Sequence, residues 1–234
     1  GQRILSGMGE LHLEVLLDRV RREYKLEPRV GEPQVVFQET VSIVGKGRGE
    51  FHRELGEVMH YGLVELEVEP LERGKGRDIV FEVDPEAWHA TWLDAVEQGV
   101  SDSLQSGVLK GYPVQDLRVR VKELARKDGE SSPVGYHMAA VTALKEALAA
   151  AGPVLLEPIM WVEISLPEEF VGDAVSLLGI KGAKVENILS KADQKTVQAL
   201  APMRNLFGFA TELRSATQGR AGLMLKFSRF DVLS

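Results

Sequence analysis

The stretch MWVEISLPEEFVGDAVSLLGIKGAKVENIL, residues 160–189, sets the architecture of the last third of the chain. Val162, Ile164 and Leu166 alternate with Glu163 and Ser165, the period of a half-buried strand over Met160–Leu166. Pro167 then opens a helix to Leu178, and a second strand is predicted over Lys184–Leu189. Beyond it the pattern gives a strand over Thr196–Ala201, a helix over Arg204–Arg214 and a strand over Leu223–Phe230. The order is βαββαβ, the split-βαβ sandwich.

Upstream, Leu13, Leu16, Leu17, Val20 and Tyr24 recur at helical spacing after Gly7-Met8-Gly9, and an extended stretch is expected over residues 28–36. One helix and one strand cannot enclose a core, so residues 1–36 read as the end of a domain that begins elsewhere. The middle opens with strands over Val35–Val44 and Leu63–Glu69. A helix follows behind Asp84-Pro85 with Trp88, Trp92, Ala95 and Gly99 on one face, then a strand over Asp116–Val121. Ser132-Pro133 caps a last helix whose buried stripe is Val141, Leu144, Leu148 and Ala151. The fold class is α+β and multi-domain, with boundaries at 1–36, 37–152 and 153–234.

The 234 residues are 44% hydrophobic and lack cysteine, which leaves no disulfide framework and no thiolate metal site. No apolar run reaches the roughly 18 residues of a membrane span, and the cytoplasm is the expected compartment. The net charge of −7 argues against wholesale wrapping of nucleic acid, but it is unevenly spread. Residues 37–152 hold 13 basic and 20 acidic side chains, whereas from Ser176 onward there are 9 basic against 4 acidic. That last quarter could face phosphate.

Few residues suggest chemistry. The P-loop pattern G-x-x-x-x-G-K-[ST] is absent, and Gly45-Lys46-Gly47 and Gly74-Lys75-Gly76 read as turns. Histidines 12, 52, 60, 89 and 137 lack ligand spacing, so no metal site is expected, and no carboxylate pair stands out as acid and base. A hydrolase therefore has little support, and no catalytic or cofactor-binding residue is assigned. The run Glu123–Ser132 is long for a strand-to-helix connection and is a candidate contact loop.

Longer motifs carry a resemblance. LSGMGELHLE (5–14), REY (22–24), VGEPQV (30–35) and ETV (39–41) are followed by GVLKGYPV (107–114), LLEPIM (155–160), PEEFVGD (167–173) and MRNLFGFATELRSATQGRAG (203–222). In this order they resemble the C-terminal part of the bacterial elongation factor G family, translational GTPases that move tRNA and mRNA through the ribosome.

The resemblance implies the end of domain III, a partial ferredoxin-like domain, at 1–36. It implies domain IV, like the second domain of ribosomal protein S5, at 37–152, and a ferredoxin-like domain V at 153–234. GTP and Mg would belong to an N-terminal domain outside this chain, which is not expected to be catalytic alone. The implied partners are the ribosome, through rRNA of both subunits and ribosomal proteins, and tRNA–mRNA; a monomer with no membrane contact is expected.

By resemblance, the domain IV tip would meet ribosome and tRNA through Gly56, Tyr61, Gly62, Arg126, Lys127, Asp128 and Gly129. Domain V would meet rRNA through Lys181, Arg214, Ser215, Thr217, Gln218, Gly219 and Arg220. Three positions depart from the family wording. The first tip loop, Arg53–Gly62, carries Glu57, Val58 and Met59 where glycine-rich basic wording is usual. Lys127 stands where a histidine is general, and Ile180-Lys181 where a basic pair is common. These departures leave open a divergent paralogue acting in ribosome recycling or protection, or a non-enzymatic ribosome-binding module.

Overall fold

A computed structural model describes residues 5, 7, 10–28, 30, 31, 34–191 and 194–232. The Gly7–Gly9 helix start and part of the 28–36 stretch fall wholly or partly outside them. The backbone divides into two compact units, residues 1–36 with 157–229, and residues 37–156 with 230–234.

In the second of these units β1 (Gln38–Val41) pairs antiparallel with the beginning of β6 (Pro153–Pro167), Gln38 facing Leu156. A four-stranded sheet follows, built from β2 (Gly45–Leu55), β3 (Val58–Pro70), β4 (Arg77–Phe81) and β5 (Leu117–Ala125) in the order β2-β3-β5-β4. The only parallel pair in it is β4 with β5, and α2 (Ala90–Ser103) lies between them in the chain. The core joins Val64, Leu66 and Val68 of β3 and Val119 and Val121 of β5 to Val96 and Val100 of α2 and to α3 (Pro133–Ala150).

β2 departs from the sequence reading, which placed Gly45–Gly47 in a turn. Gly45, Gly47 and Gly49 point one after another at the α3 backbone, where an added Cβ would meet Ala147 O at 2.3 Å, Ala143 O at 1.9 Å and Ala139 O at 2.0 Å. The inward face of this strand is glycine because a helix backbone occupies the space where apolar side chains normally stand. Gly74 and Gly76, by contrast, do form a turn, with φ of 83° and 74°. Behind Asp84 there is first a 3₁₀ turn, Pro85–Ala87, capped by Asp84 Oδ1 on Glu86 N, and α2 starts only after His89.

In the other unit α1 (Glu10–Tyr24) is followed, after the second unit, by β6, α4 (Val171–Ile180), β7 (Lys184–Lys191), β8 (Gln194–Pro202), α5 (Phe209–Ala216) and β9 (Gly222–Val232), the βαββαβ order. β6 pairs antiparallel with β8, β8 with β7, and β9 with β6. Met160, Val162 and Ile164 face Ala201, Ala199 and Val197 across the sheet, and with Leu166 they pack under Ala174 and Leu178 of α4 and Phe209 and Leu213 of α5.

Candidate nucleic-acid interface

The first candidate region is in the unit of residues 37–156. Pairing of β2 with β3 continues to Leu55 and Val58, so the reach expected as a loop, Arg53–Gly62, is a strand hairpin closed by two residues. Both turn residues, Gly56 and Glu57, take positive φ, 58° and 67°, whose twist matches a hairpin. Tyr61 and Gly62, expected as contact residues, are buried. An added Cβ on Gly62 would stand 2.4 Å from Tyr136 N at the start of α3.

β5 also runs further than the sequence suggests. An irregularity between Glu65 and Leu66 lets Glu123, Leu124 and Ala125 pair with Glu65, Val64 and Leu63, so the connection to α3 shrinks to residues 126–132. This loop folds on itself. Glu130 N and Ser131 N donate to Lys127 O at 3.2 and 3.0 Å, Lys127 N donates to Ser131 Oγ at 2.8 Å, and Gly129 has φ of 74°. Ser132 caps α3 through Gly135 N at 3.1 Å and meets His60 Nδ1 at 2.8 Å. Tyr61 ties hairpin to loop, its N donating to Glu130 O at 2.8 Å and its O accepting from Ser132 N at 3.2 Å.

Arg126, Lys127, Asp128 and Gly129 are all exposed on this loop. The Arg126 guanidinium lies 5.9 Å from the Trp88 ring centroid, and Trp88 in turn meets Tyr136 edge-on. Lys127 Nζ stands 4.3 Å over the Tyr61 ring and 3.2 Å from His52 Nδ1, while His52 Nε2 is 2.9 Å from Glu130 Oε2. Burial, and then Glu50, push the Tyr61 phenol above its ordinary value, so the ring stays neutral beneath the ammonium. Two cationic side chains are thus laid on aromatic faces at one end of the unit, a preorganised basic edge. The pairing of His52 with Glu130 had no sequence signal, because it joins residues 78 apart.

The second region is in the other unit, at the end of α5. Thr217 is the C-cap, Gln218 has φ of 52° and Gly219 of 76°. Gly219 N donates to Arg214 O at 2.8 Å and Gln218 N to Ser215 O at 3.4 Å. These two bonds are a Schellman motif, so RSATQGR is a helix terminator in which the Arg214 and Ser215 carbonyls are satisfied. Thr217, expected as an RNA contact, is buried with its hydroxyl donating to Leu213 O at 2.7 Å. Lys181 is largely covered, its side chain 16% exposed and its Nζ 2.8 Å from Glu212 Oε1. Arg214, Ser215, Gln218, Gly219 and Arg220 are exposed. Arg220 pairs with Glu169 and lies 5.4 Å from the Phe170 centroid, whereas Arg214 makes no ion pair among the described residues.

The solvent face of the β2-β3-β5-β4 sheet carries a ladder of opposite charges: Arg48 with Glu65, Arg120 with Glu69, Arg118 with Asp78 and Lys122 with Glu82. Such internal pairing leaves little free charge on that face. Among the described residues no group of three or more His, Asp or Glu could hold a metal, and no helix is long and apolar enough to cross a membrane.

Three family models cover the chain in order. Residues 1–32 match Elongation Factor G, domain III; residues 33–152 match Elongation factor G, domain IV; and residues 154–234 match the Elongation factor G C-terminus. The chain belongs to the elongation factor G family. It is 43% identical over 230 residues to Elongation factor G 2 of Syntrophus aciditrophicus, spanning 98% of this chain and 34% of that protein. Identity to Elongation factor G of Aquifex pyrophilus is 41%, over 99% of this chain and 33% of the relative. A crystal structure of a protein from Thermus thermophilus superposes with a TM-score of 0.84 at 28% identity, over 97% of this chain and 34% of that one. The chain therefore spans about a third of the length of the elongation factor G proteins it matches.

Proposed function

We propose that this chain is the ribosome-binding C-terminal arm of a translational GTPase that promotes tRNA–mRNA translocation, working in the cytoplasm as part of a monomer. The observation that carries this reading is the ordered match of domain III, domain IV and C-terminal family models over the chain. Residues 1–36 are the end of domain III, 37–152 domain IV and 153–234 domain V. GTP and Mg are held by a segment outside this chain, since no P-loop pattern lies within it. Catalysis belongs to that segment; the arm binds.

Two basic edges serve rRNA and tRNA in this reading. The loop at 126–132 presents Arg126 and Lys127 with Asp128 and Gly129 at its apex, and the hairpin that ends in the Gly56 turn is tied to this loop through Tyr61. The α5 cap presents Arg214 and Arg220 beside Ser215, Gln218 and Gly219, whose short side chains admit a phosphate backbone. Lys181 contributes less, because Glu212 already neutralises it.

Cosedimentation of the 234-residue chain with ribosomes across a salt series tests the reading. Pelleting at low salt that weakens steadily as salt is added is expected. A chain that stays in the supernatant at every salt concentration overturns it. A translocation assay of the intact parent separates translocation from ribosome recycling.

A further inference from the structure

The contact between Lys127 and His52 has only one possible hydrogen-bond polarity. An ammonium donates and cannot accept, so at 3.2 Å the His52 Nδ1 must present its lone pair. The ring proton is then on Nε2, which donates to Glu130 Oε2 at 2.9 Å. We propose that His52 is a positioning residue of the tip: as a neutral imidazole it stows the Lys127 ammonium over Tyr61, and on taking up a proton it releases that ammonium toward solvent and ligand.

The two ring nitrogens respond unequally to protonation. Nε2 carries a proton in both states, so Glu130 holds the ring in place throughout and attracts the imidazolium. Nδ1 changes from acceptor to donor and then faces a second positive charge 3.2 Å away. The lysine, not the histidine, must move. Its backbone stays anchored, because Lys127 N donates to Ser131 Oγ at 2.8 Å independently of the side chain.

The groups around the ring are few. Glu50 and Glu54 stand two residues to either side on β2, Tyr61 meets the ring edge-on from β3 at 5.4 Å, and Lys127 and Glu130 approach from the loop. Release raises the positive charge of the edge and frees a flexible cation for phosphate. That consequence rests on the proposed ribosomal role; the latch itself does not.

The test is NMR on the isolated 234-residue chain with labelled histidine and lysine, so a failed latch is distinguishable from a failed ribosomal reading. In its neutral form the His52 ring should be the Nε2–H tautomer, and the Lys127 methylenes should show a ring-current shift from Tyr61. On acidification that shift should collapse with the same midpoint as the His52 titration. Lys127→Met removes the positive charge that faces Nδ1 at 3.2 Å, so the His52 midpoint should move up at low salt. Glu130→Gln should lower it. His52→Asn keeps an acceptor oxygen near the Nδ1 position without titrating, so the lysine shift should persist to about pH 5. A lysine shift that ignores the His52 titration, or a midpoint unmoved by Lys127→Met, overturns the proposal.

Discussion

Gly47 and Ala143 meet backbone to backbone: a Cβ on Gly47 would stand 1.9 Å from the Ala143 carbonyl oxygen and 2.6 Å from Ala147 N. Neither atom can swing aside as a flexible side chain would. Gly47→Ala must therefore separate β2 from α3, an overpacking change of about 3 kcal/mol. Urea unfolding followed by Trp88 and Trp92 fluorescence, in a Trp161→Phe background that silences the other unit, should show this loss. Lys46→Ala, whose side chain is 81% exposed on the opposite face, should stay within about 0.5 kcal/mol.

Glu39 is a buried carboxylate that organises the GVLKGY segment. Its oxygens accept from Leu109 N at 2.9 Å, Lys110 N at 2.8 Å and Tyr112 N at 3.1 Å, and a Cβ on Gly107 would strike its Oε2. Glu39→Gln turns one acceptor into a donor facing other donors, leaving half-buried N–H groups unmet at a cost on the order of 1–3 kcal/mol. Hydrogen exchange at the amides of 109, 110 and 112 should accelerate. Unchanged protection would mean the loop is held by its other contacts.

The ion-pair ladder gives an acid dependence. The hydrogen bond from Lys122, more than the nearby charges of Lys122 and Arg120, holds the Glu82 carboxyl below its ordinary value. A depressed folded pKa contributes stability that is present above the usual carboxylate range and disappears as pH falls through the depressed value. Glu82→Gln should flatten the fall of stability on the acid side and leave the alkaline side alone. The difference should shrink with added salt, since the pair is exposed.

These contacts show why parts of the fold were readable in sequence and parts were not. β6 announces itself because Val162, Ile164 and Leu166 alternate with Glu163 and Ser165, and β8 because Val197 alternates with Thr196 and Gln198, against one core. β2 has the same period of two, but its inward positions are Gly45, Gly47 and Gly49, so a buried strand looks like a turn. Asp84-Pro85 is a true cap, yet it caps one 3₁₀ turn before α2 begins. At the tip, the sequence names Lys127 but not its partners, because β2 must fold back along β3 before His52 can reach it. Thr217 is interior for a local reason: a threonine at a C-cap can bond its own helix at Leu213 O.

Lys127→Ala removes a cation laid on Tyr61 and a donor to His52, both at an exposed loop. Thermal stability should change by less than about 1 kcal/mol. In the intact parent the same substitution should slow the ribosomal step, translocation in the proposed reading. Wild-type kinetics would return the loop to a solvated connection.

The two arginines of RSATQGR should not behave alike on the ribosome. Arg214 is exposed without an ion pair among the described residues, whereas Arg220 must give up Glu169 and the Phe170 face before it can meet phosphate. With side chains 54% and 60% exposed, the Arg220–Glu169 pair is screened by water and worth about 1 kcal/mol at most. Arg214→Ala should therefore reduce ribosome affinity at least as much as Arg220→Ala, on the order of 1–3 kcal/mol if its phosphate bonds are shielded. The double variant should flatten the log-log salt dependence by roughly 1.8, taking the duplex value per phosphate contact. Glu169→Gln supplies the opposite sign: it releases Arg220 beforehand and should tighten binding at low salt while leaving the Arg214 term intact. Sedimentation of the parent with ribosomes and a non-hydrolysable GTP analogue, over a salt series, reads every one of these variants. A double variant with the original slope and affinity would reduce RSATQGR to the helix terminator that its Schellman bonds already make it.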